Sequence, residues 1–329
     1  MALYQRTAIE HKGCGIVAKT TIPPGTLILV EEPLFSLPSA LFSKEVLTQT
    51  KHPESTLNNI IATAVKALPK EKQVAFLELY NSRTRPGVFL GIWQTNAFGL
   101  GSDNDESGIF ERASRFNHSC FPNAIYSWNY NTKKMEIRAT KAIPEDAEIT
   151  MSYLSFEEII QSCAMRRTML QERYGFICSC HACASPGNAK SVACRTELAM
   201  LDGELAREGF SPGMNTARAM NNLRRMLELF PQENLEGELG RVYNDAFQLC
   251  IGFGDQARAS AFMELCVKTR RFYLGTGLKD DSQNQELARR PQSHHSFQVL
   301  GSKWDTKLAI KTKEGSVGFD EWLWERAET

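Results

Sequence analysis

Three cysteines fall within six residues, Cys178, Cys180 and Cys183, in the spacing C-x-C-x-x-C. One loop with that spacing can set three thiolates around a tetrahedral ion, at roughly 2.3 Å each for zinc. Packing alone rarely crowds cysteines this closely, and a thioredoxin-type redox pair would want C-x-x-C at a strand-to-helix turn. A closed structural site needs a fourth ligand. On chemistry alone Cys14, Cys120, Cys163, Cys194, Cys250 or Cys266 could supply it. His181 lies between two of the cysteines, where ligation would strain the loop.

A metal reading suits a compartment in which thiols stay reduced. The N-terminal residues Met1-Ala2-Leu3-Tyr4-Gln5-Arg6 lack the basic-then-apolar pattern of a signal peptide. No apolar run approaches the roughly 20 residues that span a bilayer. The expectation is an intracellular protein of nucleus or cytoplasm, with no membrane partner. Lys plus Arg total 38 and Asp plus Glu total 38, so no net charge recommends nucleic acid as a direct partner. At 329 residues, 42% of them apolar, the chain can bury one large core or two ordinary ones. A monomer is expected.

The first part reads as short strands with turns. Gly13-Cys14-Gly15 is a tight turn into an apolar strand, and Pro23-Pro24-Gly25 turns into the β-rich run Thr26 to Glu31. Over about 39–85 the pattern becomes helical. Leu57, Ile60, Ile61, Ala64, Val65 and Leu68 recur at helical spacing up to Pro69, and Val74, Leu77 and Tyr80 predict the inner stripe of a second helix. Strands are expected again at Val88-Phe89-Leu90 and Thr95 to Phe98. Residues 101–108 form a polar loop, Asn129 to Lys134 a hairpin turn, and Glu148 to Tyr153 a further strand. One helix is predicted over 156–174, stopped by Gly175. Ala184-Ser185-Pro186-Gly187-Asn188 marks a domain boundary. Beyond it the apolar spacing predicts helical hairpins, tetratricopeptide-like, with a polar linker over 280–293 and His294-His295 as exposed linker, not a metal site. Trp304, Trp322 and Trp324 predict an end that packs back.

Arg115-Phe116-Asn117-His118-Ser119-Cys120-Phe121-Pro122-Asn123 resembles the R-F-x-N-H-S-C-x-P-N pattern of SET-domain protein-lysine methyltransferases, less one spacer. Glu148-Ile149-Thr150-Met151-Ser152-Tyr153 and Tyr174-Gly175-Phe176-Ile177-Cys178 are similar to the family's later motifs, and Lys12-Gly13-Cys14-Gly15 to its N-terminal glycine motif. The match spans about residues 10 to 183. The helical insertion and helical C-terminal half resemble the SET-and-MYND group. No cysteine lies between Cys14 and Cys120, so the MYND zinc module is missing from that span.

The resemblance implies an α+β SET fold over 1–184, with a zinc-binding post-SET loop at 176–184, and a helical domain over 185–329. It implies one structural zinc on Cys120, Cys178, Cys180 and Cys183. It also implies S-adenosylmethionine as cofactor, held by Lys12, Gly13, Cys14, Asn96, Asn117, His118, Tyr153 and Phe176, with Tyr153 as the catalytic residue. The partner would be a protein or peptide, histone or non-histone, offering a lysine. The family often carries glycine where this chain has Asp146, a residue that tolerates a left-handed turn. A second reading keeps the fold and the zinc but makes the protein a silent peptide-binding or scaffolding module. Retention of Tyr153 with Asn117, His118 and Phe176 favours the enzyme, because a scaffold needs none of them.

Overall fold

The computed structural model describes residues 2–43, 47–48, 51–83, 87–101, 105–184, 189–209, 211 and 213–325. The chain forms two compact units. One comprises Met1–Ser155, Cys163–Ser185 and Leu274–Lys279; the other comprises Phe156–Ser162, Pro186–Tyr273 and Asp280–Thr329. Part of the polar loop at 101–108 and part of the boundary at 184–188 lie outside the described residues.

In the first unit, β1 (Tyr4–Ile9) and β2 (Gly13–Ala18) form an antiparallel hairpin. Its turn puts His11 and Gly13 at φ 59° and 74°, the left-handed region that glycine enters without a Cβ clash. β3 (Leu27–Glu31) and β4 (Phe35–Pro38) follow. The insertion then supplies α1 (Pro53–Lys66), α2 (Lys70–Leu77) and α3 (Val88–Asn96). β5 (Phe98–Leu100), β6 (Glu106–Ile109), β7 (Asn117–His118), β8 (Ala124–Asn129), β9 (Lys134–Ala139) and β10 (Thr150–Met151) complete the strands. They pair as β3–β9–β8 and β4–β6–β5, both antiparallel, and as a short parallel β7–β10 ladder.

Two expectations about the insertion need correction. Val88-Phe89-Leu90 and Thr95-Asn96 are not strand but the first and last residues of α3, the strand beginning only at Phe98. The run Val88 to Trp93 is apolar without a helical stripe, Leu90, Ile92 and Trp93 being buried and Val88 exposed, and a short apolar run does not distinguish strand from buried helix. In α2, Val74 and Leu77 face outward with Tyr80 beyond it, while Phe76 and Leu79 are buried. Phe76 packs 5.7 Å from Phe35, and Phe42 stacks on Trp93 at 5.3 Å. This is a second core, separate from the one that Ile16, Phe110, Phe116, Ile137 and Ile149 build beneath the sheets.

The turn before β10 holds Asp146 at φ 62°, as expected of an aspartate replacing glycine. Leu274–Lys279 lies along the β8–β9 hairpin: Ser127 Oγ donates to the Leu274 carbonyl at 2.6 Å and Tyr130 N to the Gly277 carbonyl at 2.7 Å.

The helix predicted over 156–174 is broken into α4 (Phe156–Ile159) and α5 (Cys163–Tyr174). The Ile159 carbonyl, which a continuous helix would give to the amide four residues on, instead accepts from the Arg195 guanidinium. The second unit continues with α6 (Ala189–Glu208), α7 (Thr216–Leu229), α8 (Leu239–Gly252), α9 (Gln256–Leu274), α10 (Asp281–Arg289) and α11 (Phe319–Trp324). Asp255 caps α9, its Oδ1 accepting from Arg258 N at 3.1 Å. Trp304 packs on Phe253 at 4.9 Å and Trp324 on Phe262 at 4.8 Å, so the end does pack back. The stretch 280–293, expected as linker, carries α10 and buries Leu287 and Ala288. Its remaining residues are polar, which hid the helix from an apolar-spacing argument. His294 is buried too, edge-on to Phe247 at 5.3 Å. Among the described residues no helix is long and apolar enough to cross a membrane.

Candidate active site and cysteine cluster

A cavity of about 890 Å3 lies in the first unit, and Lys12, Gly13, Cys14, Asn96, Asn117, His118, Tyr153 and Phe176 all line it. They arrive from the β1–β2 turn, the end of α3, β7, and the segments after β10 and α5. Their sequence separation makes the convergence informative.

Glu148 organises one wall. Its Oε2 accepts from Lys12 Nζ at 2.6 Å, and its Oε1 from Asn117 Nδ2 at 2.9 Å. Asn117 Nδ2 also donates to the Cys14 carbonyl at 3.2 Å. Both acceptors are unambiguous, so the amide nitrogen faces the hairpin and Asn117 retains only its acceptor oxygen. Gly15 makes room for this. A Cβ there would lie 2.7 Å from Asn117 Nδ2 and 3.0 Å from Glu148 Oε1. Asn96 is likewise committed as a donor, to the Tyr80 and Ile92 carbonyls, both at 2.7 Å. The Cys14 thiol receives Arg6 Nε at 2.8 Å.

Another part of the lining is aromatic. Tyr153 lies 5.3 Å from the His118 ring, 5.0 Å from Tyr174 and 6.5 Å from Phe176. Its hydroxyl donates to the Phe116 carbonyl at 2.7 Å. Burial, with Tyr174 and Glu148 nearby, pushes the Tyr153 phenol well above its ordinary range, so it stays protonated near neutral pH. His118 Nδ1 accepts from Tyr153 N at 3.0 Å, and its Nε2 lies 3.2 Å from Cys120 Sγ. Both ring nitrogens are therefore engaged within the protein.

Cys120, Cys178, Cys180 and Cys183 bring their sulfurs within 4.8 Å of one another. Cys120 Sγ is 4.0 Å from Cys178 Sγ and 3.6 Å from Cys183 Sγ. Four thiolates held at roughly 2.3 Å on a tetrahedron would sit about 3.8 Å apart, whereas a disulfide needs about 2.05 Å. All four are free cysteines. The donor set is all-sulfur and closed, which suits a structural zinc. Hydrogen bonding within the cluster divides the protons unequally. Contact with Cys178 pushes the Cys120 thiol up, and contact with Cys120 holds Cys180 down at about 5.

Sequence reasoning missed several residues here. Arg166 is 2% exposed, and its Nη2 donates to Cys183 Sγ at 3.3 Å and to the Ala182 carbonyl at 3.1 Å. Burial alone would lower its pKa, but the sulfurs of Cys120 and Cys183 outweigh that and raise it. Arg167 Nε donates to the Cys178 carbonyl at 2.9 Å and its Nη2 to that of Cys183 at 2.7 Å. Arg115, Tyr126 and Tyr174 also line the cavity. Arg115 and Tyr174 stand inside quoted motifs, and their side chains carried a signal that went unused. Arg166 and Arg167 carried none beyond lying on a helix just before the cysteines.

Small paired sheets, an N-H-S-C strand against a parallel partner and a cysteine-closed loop over one cavity define a SET-domain protein. Residues 13–154 match the SET domain family, and the chain belongs to it. It is 30% identical over 297 residues to the histone-lysine N-methyltransferase set5 of Schizosaccharomyces pombe, spanning 89% of this chain and 85% of that one. It is 27% identical over 199 residues to a SET domain-containing protein of Acanthamoeba polyphaga mimivirus, spanning 53% of this chain and 75% of the viral one. To the human protein-lysine N-trimethyltransferase SMYD5 it is 36% identical over 86 residues, covering 26% of this chain and 21% of that protein.

Proposed function

We propose that the protein is an S-adenosylmethionine-dependent methyltransferase acting on lysine side chains of a protein or peptide substrate. The convergence of eight residues from five separated segments on one cavity carries the reading. The names of two relatives, a histone-lysine and a protein-lysine methyltransferase, support it.

When bound, the cofactor supplies a methyl already activated on a sulfonium, so the chain's tasks are binding, orientation and exclusion of water. Lys12, Gly13 and Cys14 would hold the methionine end through main chain. Asn96 and Asn117, left with acceptor oxygens, suit ligand groups that donate. Phe176 would stack on the adenine. His118 has no ring nitrogen to spare, so its contribution would come from the main chain or the ring edge.

The incoming lysine must be neutral. Removing a proton from an amine of pKa about 10.4 costs about 4.6 kcal/mol at pH 7. Desolvation among the aromatic rings of Tyr153, Tyr174 and Phe176 lowers that cost. Tyr153 holds its own proton toward the Phe116 carbonyl. It therefore acts as an oriented oxygen at the reaction centre, not as a base. Zinc on Cys120, Cys178, Cys180 and Cys183 would have a filled shell and no water to activate. Its task would be to pin the loop that carries Phe176.

Calorimetric titration of the zinc-loaded protein with S-adenosylmethionine tests the reading. One site per chain is expected, followed by methyl transfer to lysine-bearing peptides. Absence of binding would overturn it.

A further inference from the structure

We infer that His118 is a positioning residue that ties the cysteine cluster to the main chain at Tyr153, so that metal occupancy is transmitted to the reaction-centre tyrosine. This rests on the zinc reading above.

The tautomer of His118 follows from its partners. Tyr153 N is a main-chain N–H and can only donate; at 3.0 Å from Nδ1 it requires a lone pair there. The neutral ring then carries its proton on Nε2, which lies 3.2 Å from Cys120 Sγ. One imidazole thus bridges two groups in a fixed sense: Tyr153 N–H donates to Nδ1, and Nε2–H donates to the Cys120 sulfur.

The strength of the second bond depends on what that sulfur is. As a thiol, Cys120 is a weak acceptor with a proton of its own to place. As a metal-bound thiolate it is a charged acceptor, and charge-assisted hydrogen bonds are roughly twice as strong as neutral ones. Metal binding therefore tightens Nε2–H against sulfur and fixes the ring plane. The plane in turn fixes where Nδ1 can receive Tyr153.

The surroundings leave the ring little alternative. His118 is 5% exposed, with the Tyr153 ring at 5.3 Å and the Phe176 ring at 6.0 Å. Its strand is paired with β10 at Met151, and Ser119 N donates to the Met151 carbonyl at 2.9 Å. Cys120 is also the one cysteine of the four outside the 178–183 loop. A change in the loop's metal therefore reaches the strands through Cys120, and its adjacent imidazole leads to Tyr153.

The test uses the full chain loaded with cobalt(II), whose thiolate charge-transfer bands report the cluster, together with hydrogen exchange at the Tyr153 amide. In the native chain, chelating the metal should accelerate Tyr153 amide exchange by up to about tenfold, the worth of one such hydrogen bond. Two variants separate the halves of the bridge. His118→Asn places an acceptor where Nδ1 stood; it should keep the amide protected but make protection independent of metal, and shift the cobalt bands. His118→Gln places a donor where Nε2 stood; it should keep the bands but leave the amide fast-exchanging with or without metal. Equal Tyr153 protection in native metal-loaded and metal-free protein overturns the relay, whatever the variants do. Failure of cobalt to produce any charge-transfer band overturns the zinc reading itself, and the relay with it.

Discussion

At Tyr153 a half-buried phenol is held by its own hydrogen bond to the Phe116 carbonyl, with its amide on His118. Replacing it with phenylalanine removes the oxygen and little else, since the ring packing against Tyr174 and Phe176 survives. Tyr153→Phe should lower kcat by roughly 10²- to 10³-fold, the usual cost of one oriented polar group at a reaction centre. Cofactor affinity by calorimetry should stay within a few-fold of native. An unchanged kcat would remove Tyr153 from the chemistry. The residues of this site were legible because they stand in short local patterns, the N-H-S-C run and the cysteine triplet. Glu148 was legible as the start of a strand motif leading to Tyr153, but not as a partner of other site residues. Its role comes from Lys12 and Asn117, which are 136 and 31 residues away in sequence. Arg166 was invisible for the same reason, since nothing local marks a guanidinium as the partner of a sulfur.

The β1–β2 hairpin and the cysteine loop act as the two jaws of the cavity, and each can be perturbed alone. Gly15→Ala would push a methyl to within 2.6 Å of Ile9 Cγ1, whose side chain can swing aside, 2.7 Å of Asn117 Nδ2 and 3.0 Å of Glu148 Oε1. Cofactor affinity should fall roughly tenfold or more, as expected for one disturbed hydrogen bond to a charged group. Retained near-ultraviolet circular dichroism would show that the fold survived; native affinity would mean the Asn117–Glu148 contact is dispensable. On the other jaw, removing metal with a chelator should weaken S-adenosylmethionine binding by at least several-fold, because Phe176 sits two residues before Cys178 on the same loop. Binding indifferent to metal would break the proposed link. Element prediction succeeded where periodicity was unambiguous, as in α8 with Val242, Ala246, Leu249 and Cys250 all buried. It failed at α3, whose continuous apolar run shows no helical stripe, and at α10, where only Asn284, Leu287 and Ala288 are buried.

Each compact unit carries its own charge economy. In the second, Arg241 reaches Glu157 at 2.9 Å and Asp202 at 3.0 Å, while Asp245 nearby has no ion pair of its own among the described contacts. Burial chiefly, opposed by the Arg241 charge and reinforced by Asp202, pushes the Asp245 carboxyl up to about 6 from 3.8. The folded state therefore binds a proton more tightly than the unfolded chain. Its contribution to stability is full below about pH 4 and is lost as pH rises through 6. Asp245→Asn removes the charged form. It should raise stability at pH 7–8 by on the order of 2 kcal/mol and flatten the fall between pH 4 and 6, as read from urea unfolding at several pH values. A variant no more stable than native at pH 8 would contradict the assignment.

The strip Leu274–Lys279, which takes hydrogen bonds from Ser127 and Tyr130, belongs to the first unit although the chain reaches it only after α9. A growing chain meets this as a matter of timing. From residue 185 to residue 274 is 89 residues, or roughly 4–18 s at ~5–20 residues per second. For that interval the β8–β9 hairpin has been made but its last partner has not. Nascent chains stalled just short of residue 274 should be cut by protease at β8–β9 more readily than chains released past Lys279. The first compact unit would then be finished only after residues 186–273 of the second had been made.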